Sequence, residues 1–212
     1  YAANNEKIVF YVGRLVREKG VEVLLNAAPK VLSRNPNTKF VIAGKGPHME
    51  TLRHQATQLN IAHHVYFTGY IDDEIRNSLY NWADVAVFPS LYEPFGIVAL
   101  EGMAARTPVI VSDTGGLSEI VIHGTDGLKF YPGNSNSLAD MILKIFYEPG
   151  LADRLEKQAF LKVKQYFNWQ GIARNTAQIY REVLDSCRNA NLASMRSSWF
   201  SDRFSRIFNK YH

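Results

Sequence analysis

Cysteine is nearly absent from this chain: of 212 residues, only Cys187 carries a thiol. One thiol excludes an internal disulfide framework and a zinc site built from cysteines. A lone buried thiol, as expected here, fits a reducing compartment and points to the cytoplasm. Long apolar runs are missing too. No stretch reaches the roughly 18 uninterrupted apolar residues of a membrane span, and no secretory leader pattern is visible. The chain opens at Tyr1 without a methionine, as expected of a piece of something longer. Most of the chain also lacks any excess of charge. Arg188, Arg196, Arg203, Arg206 and Lys210 stand against the single acid Asp202 in residues 188–212 and account for the whole net +4, while the other 187 residues hold 19 bases and 19 acids. The basic balance is a property of the tail and gives no support to a nucleic-acid-binding body.

What remains is an ordinary globular mix, 46% apolar and 21% charged, with length for one sizeable α/β domain. Lys7-Ile-Val-Phe-Tyr-Val12 reads as a buried strand ending at Gly13. Val21, Leu24, Leu25, Ala28 and Leu32 then share one helical face, with Pro29 predicting a kink or an early end. Further strands are predicted at 40–43, 65–67, 84–88, 108–111 and 128–130. Helices are predicted from the Gly44-Lys45-Gly46-Pro47 turn to about Leu59, from Asp72 to Trp82, over Ser135–Phe146, and in two more stretches to about Leu184. Short alternation of strand and helix predicts an α/β fold: a Rossmann-like parallel sheet of about six strands with helices on both faces, followed by C-terminal helices. Residues 1–187 form this domain and residues 188–212 a basic amphipathic tail. Ligands of such sheets sit beyond the carboxyl ends of the strands, which directs attention to the loops there.

After the first strand, Gly13 permits a tight turn and Arg14, Arg17 and Lys19 follow it, cations able to neutralise a diphosphate. A solvated charged loop is the plainer reading. After the second strand, Gly44 and Gly46 either let a flat ligand approach the backbone or only shape a turn. The segment is neither a Walker A loop nor the dinucleotide fingerprint. After the fourth strand comes Glu93-Pro94-Phe95-Gly96-Ile97 with Glu101 further along the helix. Free N–H groups near Phe95, Gly96 and Ile97 make an anion site at a helix start. Two carboxylates around it suit a ligand with hydroxyls on both sides of a phosphate. Alternatively, Glu93 caps the helix and Glu101 is an exposed helix acid. Gly115-Gly116 and Glu119 follow the fifth strand, where Glu119 is expected to cap or pair locally. Asp72-Asp73-Glu74 is better explained as an acidic helix start than as a metal site.

Gly13-Arg14, Lys19-Gly20, Glu93-Pro-Phe-Gly-Ile…Glu101 and Gly115-Gly116…Glu119, in that order, resemble the C-terminal domain of retaining glycosyltransferases of the two-lobed GT-B architecture, family 4. The resemblance covers residues 7 to about 186, and the two glutamates with seven residues between them are its specific part. It implies that Arg14 and Lys19 hold the donor diphosphate and stabilise the leaving group. Glu93 binds hydroxyls of the transferred sugar, helped by the backbone of Phe95, Gly96 and Ile97, and Glu101 binds the ribose. The base rests near Gly44–Gly46 and Gly69–Ile71 through backbone contacts, and Gly13 also belongs to the donor site. The substrate is a nucleotide-diphosphate sugar. Transfer keeps the anomeric configuration, the departing phosphate helps to activate the acceptor, and no metal or other cofactor is implied. The N-terminal lobe that binds the acceptor is expected to be absent from this chain, leaving the isolated domain without transfer activity.

The tail carries Trp199, Phe200, Phe204, Ile207, Phe208 and Tyr211 at helical spacing, flanked by bases. It suits packing on the missing lobe or another copy, or peripheral contact with an anionic membrane through 191–212. No histidine is assigned to catalysis, and His63-His64 reads as a solvated turn. Two competing readings are one half of a nucleotide-sugar epimerase and a non-catalytic nucleotide-binding or interaction module acting through its tail. A dehydrogenase-type domain lacks its glycine fingerprint.

Overall fold

The structure, a computed structural model, describes residues 6–189. The chain divides into two compact units, one to Gln165 and one from Tyr166. In the first unit six strands form one sheet: β1 (Lys7–Val12), β2 (Thr38–Ala43), β3 (Val65–Gly69), β4 (Val85–Phe88), β5 (Val109–Ser112) and β6 (Leu128–Phe130). Their order is β3-β2-β1-β4-β5-β6, and every pairing is parallel. The expected fold class is therefore the one observed. Strands in such a sheet are covered on both faces, which explains their unbroken apolar runs. All four residues of β4 and of β5 are buried.

Alternation along the strands sends side chains to two layers of helices. Val9, Tyr11, Phe40, Ile42, Val87 and Ile110 share one core cluster with α1 (Val21–Arg34), α2 (Met49–Gln58), α6 (Ser135–Tyr147) and the start of α7 (Leu151–Tyr166). The other face meets α3 (Asp73–Trp82), α4 (Ile97–Ala104) and α5 (Gly115–Ile120). There the Phe10 and Tyr80 rings meet edge-on at 5.1 Å. Helix α3 starts where its acids suggest: Asp72 is its N-cap and accepts from the Ile75 N–H at 2.8 Å.

Pro29 does not end α1, which continues through it to Arg34. The ring removes one backbone donor, but Leu24, Leu25, Ala28 and Val31 are all fully buried. Burial on that scale offsets the roughly 3 kcal/mol cost of an interior proline.

The second unit contains α8 (Trp169–Asn189), where Asn168 Oδ1 accepts from the Gly171 N–H at 2.7 Å. Cys187 lies on this helix and is exposed, contrary to the burial expected of it. Helical amphipathicity there does not bring the thiol under cover. The aromatic stripe Trp199–Tyr211 and His212 lie outside the described residues. No helix among the described residues is long and apolar enough to cross a membrane.

Candidate functional site

The strand order reverses between β1 and β4, the switch point at which parallel sheets open a crevice. These two strands pair at only two positions, Val9 with Val85 and Phe10 with Ala86. Their loops then diverge and are tied together again above the sheet. The Glu18 carbonyl accepts from the Leu91 N–H at 2.8 Å and the Tyr92 N–H at 3.2 Å. Gly20 (φ +62°) passes so close to the β4 loop that a Cβ there would lie 2.1 Å from the Pro89 carbonyl oxygen. The Glu93 carbonyl in turn accepts from the Gly116 N–H at 2.9 Å, joining the loop after β5.

A cavity of about 260 Å³ lies in this crevice, lined by Gly13, Arg14, Lys19, Ser90, Glu93 and Val98 among others. Lys19 Nζ donates to Glu93 Oε2 across it. Ser90 Oγ lies 3.4 Å from the same oxygen, and Glu93 is 7% exposed. Glu93 therefore does not cap α4; the N-cap is Gly96, without a side-chain bond. Arg14 stands exposed at the rim. Its carbonyl accepts from Tyr11 Oη at 3.0 Å. Burial, then the charges of Glu93 and Glu22, push the Tyr11 phenol up, so it stays a hydrogen-bond donor. A larger hollow of about 480 Å³ lies against the outer strand β3, between Arg53 and Thr68. It contains none of the sequence-predicted residues, and the smaller cavity carries the charge pair.

Gly44 and Gly46 are held against the β1 loop. The Gly13 N–H donates to the Ala43 carbonyl at 3.0 Å, the Leu15 N–H to the Lys45 carbonyl at 2.9 Å, and the Gly44 N–H to the Gly69 carbonyl at 2.7 Å. Gly44 has φ +135°, and a Cβ there would lie 1.8 Å from the Gly13 carbonyl oxygen. The next loop, with half-buried Ile71, is thereby joined to the same edge. Beyond it, His48 Nδ1 lies 3.0 Å from Glu22 Oε1 and links α2 to α1.

Glu101 stands apart from the cavity. It is half-buried on α4, and its ion-pair partner is Arg76 on α3, at 3.6 Å from Nη1 to Oε1. Burial pushes the Glu101 carboxyl above the usual carboxylate range, the Arg76 charge draws it down, and the Asp73 charge adds to the rise. Asp73 itself pairs with Arg76 at 2.9 Å. Asp72 and Asp73 are thus spent on capping and pairing. Among the described residues no three His, Cys, Asp or Glu side chains gather as a metal site requires. Gly96 is buried, while Phe95 and Ile97 are 55% and 61% exposed beside it. Glu119 is exposed and makes none of the local side-chain pairs expected of it. Lys129 and Ser118 instead hold Asp113, at 3.2 Å and 2.5 Å. This takes the polar contacts of the α5 start without Glu119.

The fold thus gathers Gly13, Arg14, Lys19 and Glu93 around one cavity, and puts Gly44, Gly46 and Ile71 along one edge and Glu101 against Arg76. Tyr11, Ser90 and Arg76 were not singled out by sequence. Tyr11 lies inside an apolar strand run and Arg76 three residues after Asp73, where it reads as a surface helix pair. Ser90 alone carried a signal, lying in the loop next to Glu93.

Comparison with known proteins gives these loops a context. The model of the family described as glycosyl transferases group 1 matches residues 2–162. An uncharacterised glycosyltransferase of Methanocaldococcus jannaschii is 41% identical over 182 residues, 86% of this chain and 46% of that protein. The structure of sucrose-phosphate synthase from Thermosynechococcus elongatus is similar at a TM-score of 0.75 and 38% identity, over 86% of this chain and 46% of that one. Anabaena HepE, solved with UDP and glucose, is similar at 0.76 and 26% identity, over 84% of this chain and 48% of that one. The chain spans about half the length of the curated relatives it matches. It belongs to the glycosyl transferases group 1 family.

Proposed function

We propose that this chain is the donor-binding part of a retaining family 4 glycosyltransferase that moves a hexose from a nucleotide-diphosphate sugar to an acceptor. The acceptor is held by a lobe outside this chain, and alone the chain binds donor without completing transfer. One observation carries the reading. Lys19 and Glu93 face each other across the switch-point cavity with Arg14 at its rim. A cation and a carboxylate there suit a ligand that presents phosphate on one side and hydroxyls on the other. The UDP and glucose bound to HepE lend this support by likeness.

In this reading Arg14 and Lys19 neutralise the charge that grows on the diphosphate as the anomeric bond breaks. Glu93 and the N–H groups of Phe95, Gly96 and Ile97 hold the sugar. Glu101 accepts from the ribose hydroxyls. The base lies along the edge formed by Gly44, Gly46 and Ile71, with Gly13 beneath the phosphates. Cationic side chains and a helix start replace a metal, and no cofactor takes part. The single cysteine suits a reducing cytoplasm.

Titration calorimetry of the 212-residue chain with UDP-, GDP- and ADP-sugars in EDTA tests this. Selective binding that survives EDTA is expected. Lys19→Ala should weaken it by about 1.5–3 kcal/mol, the worth of a hydrogen bond to a charged group. Unchanged affinity in Lys19→Ala, or binding that EDTA abolishes, would overturn the reading.

A further inference from the structure

We infer that Arg76 is a positioning residue for the donor, holding Glu101 ionised and oriented toward the ribose. The inference rests on the reading of Glu101 as the ribose contact and extends it to a residue on a different helix.

The geometry forms a relay. Asp72 caps α3 and so fixes its first turn. Asp73 holds Arg76 Nη1 at 2.9 Å, and the same nitrogen lies 3.6 Å from Glu101 Oε1. Arg76 Nε is buried and has no hydrogen-bond partner, and Nη2 reaches only Asn77 Oδ1 at 3.5 Å. The two carboxylates are therefore what hold the guanidinium in place. At 3.6 Å the pairing with Glu101 is electrostatic and not a close hydrogen bond. The lone pairs of Glu101 stay free to accept from two hydroxyls while the cation maintains its charge.

Glu101 needs such a neighbour. It is half-buried, and a carboxyl taken out of water favours its neutral form. A neutral carboxyl keeps one acceptor oxygen and turns the other into a donor, so it loses one of the two charge-assisted bonds that a carboxylate accepts from a vicinal diol. The groups facing it come from α3: Arg76, Asp73 and the buried Tyr80 phenol, which donates to the Val98 carbonyl at 3.1 Å. Helix α4 carries no other ionisable side chain, β4 and β5 carry none, and Glu119 on α5 is exposed. Arg76 is thus the cation set against burial and Asp73 together.

The test is calorimetry of UDP, GDP and ADP binding from pH 8 to pH 5.5, with thermal melts to confirm folding, for wild type, Arg76→Met, Arg76→Lys, Glu101→Gln and the double variant Arg76→Met/Glu101→Gln. An opposite charge at this range moves a carboxyl by at least about one pKa unit. Arg76→Met should therefore lose more affinity than wild type as the pH falls across this range, by up to about tenfold for each pKa unit moved. Arg76→Lys should restore the wild-type profile, and the double variant should show no extra slope over Glu101→Gln. Arg76→Met binding with a wild-type pH profile, while Glu101→Gln binds weakly, would overturn the inference alone. Unchanged binding by Glu101→Gln would remove Glu101 from the site and overturn the reading beneath it.

Discussion

In the proposed reading, Lys19 is held by the carboxylate that also receives the sugar of the donor. A diphosphate that takes Lys19 competes with Glu93, which is nearly buried and has Ser90 as its other polar neighbour. Removing the charge of Glu93 while keeping its shape leaves Lys19 with no anion but the ligand. Glu93→Gln should then bind the sugar-free nucleoside diphosphate about threefold to tenfold more tightly than wild type, up to ~1.4 kcal/mol. The same variant should lose affinity for the sugar-bearing form. Calorimetry with the two ligands separates these effects, and weaker binding of both would mean that the pair is a positive part of the phosphate site. Arg14, Lys19 and Glu93 stand out as candidates because they lie in loops after parallel strands, and Glu101 because of its spacing from Glu93. Their pairings were not legible. Lys19 meets Glu93 across 74 positions, and no local pattern encodes that.

Elements were read more surely than their joints. Unbroken apolar strands and amphipathic helices signal themselves within a few residues, so the sheet and both helical layers could be anticipated. Pro29 was misleading because its cost is local while its compensation, the packing of α1 on the sheet and α6, is not. Gly44-Lys45-Gly46 was weak for the converse reason: the demand for glycine comes from the Gly13 carbonyl, about thirty residues earlier. Gly44→Ala would combine a disfavoured φ of +135° with a 1.8 Å approach to that oxygen. It should cost at least about 1–3 kcal/mol, read as a lower melting temperature, and should loosen donor binding by moving the β1 loop. Gly150 has φ +71° and nothing within 4 Å of its would-be Cβ, so Gly150→Ala supplies a milder control, a left-handed backbone without a steric clash.

At the scale of the first unit, a late ion pair fastens the end of the fold. Lys162 on α7 reaches Asp126 Oδ2 at 2.8 Å and the Ile120 carbonyl at 2.5 Å, and Asp126 is 3% exposed. Lys162→Met would leave a buried carboxylate without its cation and should cost about 3–5 kcal/mol in denaturant unfolding, with donor affinity retained because Asp126 lies outside the cavity. Stability unchanged within error would mean that the pair contributes nothing net. The loops above the sheet follow a different rule, being braced by carbonyls and amides such as Glu18 with Leu91 and Glu93 with Gly116. Main-chain atoms are common to every residue, so this bracing is indifferent to the side chains projecting from it. Lys45, Tyr92, Phe95 and Ile97 are all exposed. Under the proposed function, a mutational library confined to those four positions would therefore vary the surface around the donor crevice while leaving its main-chain bracing in place.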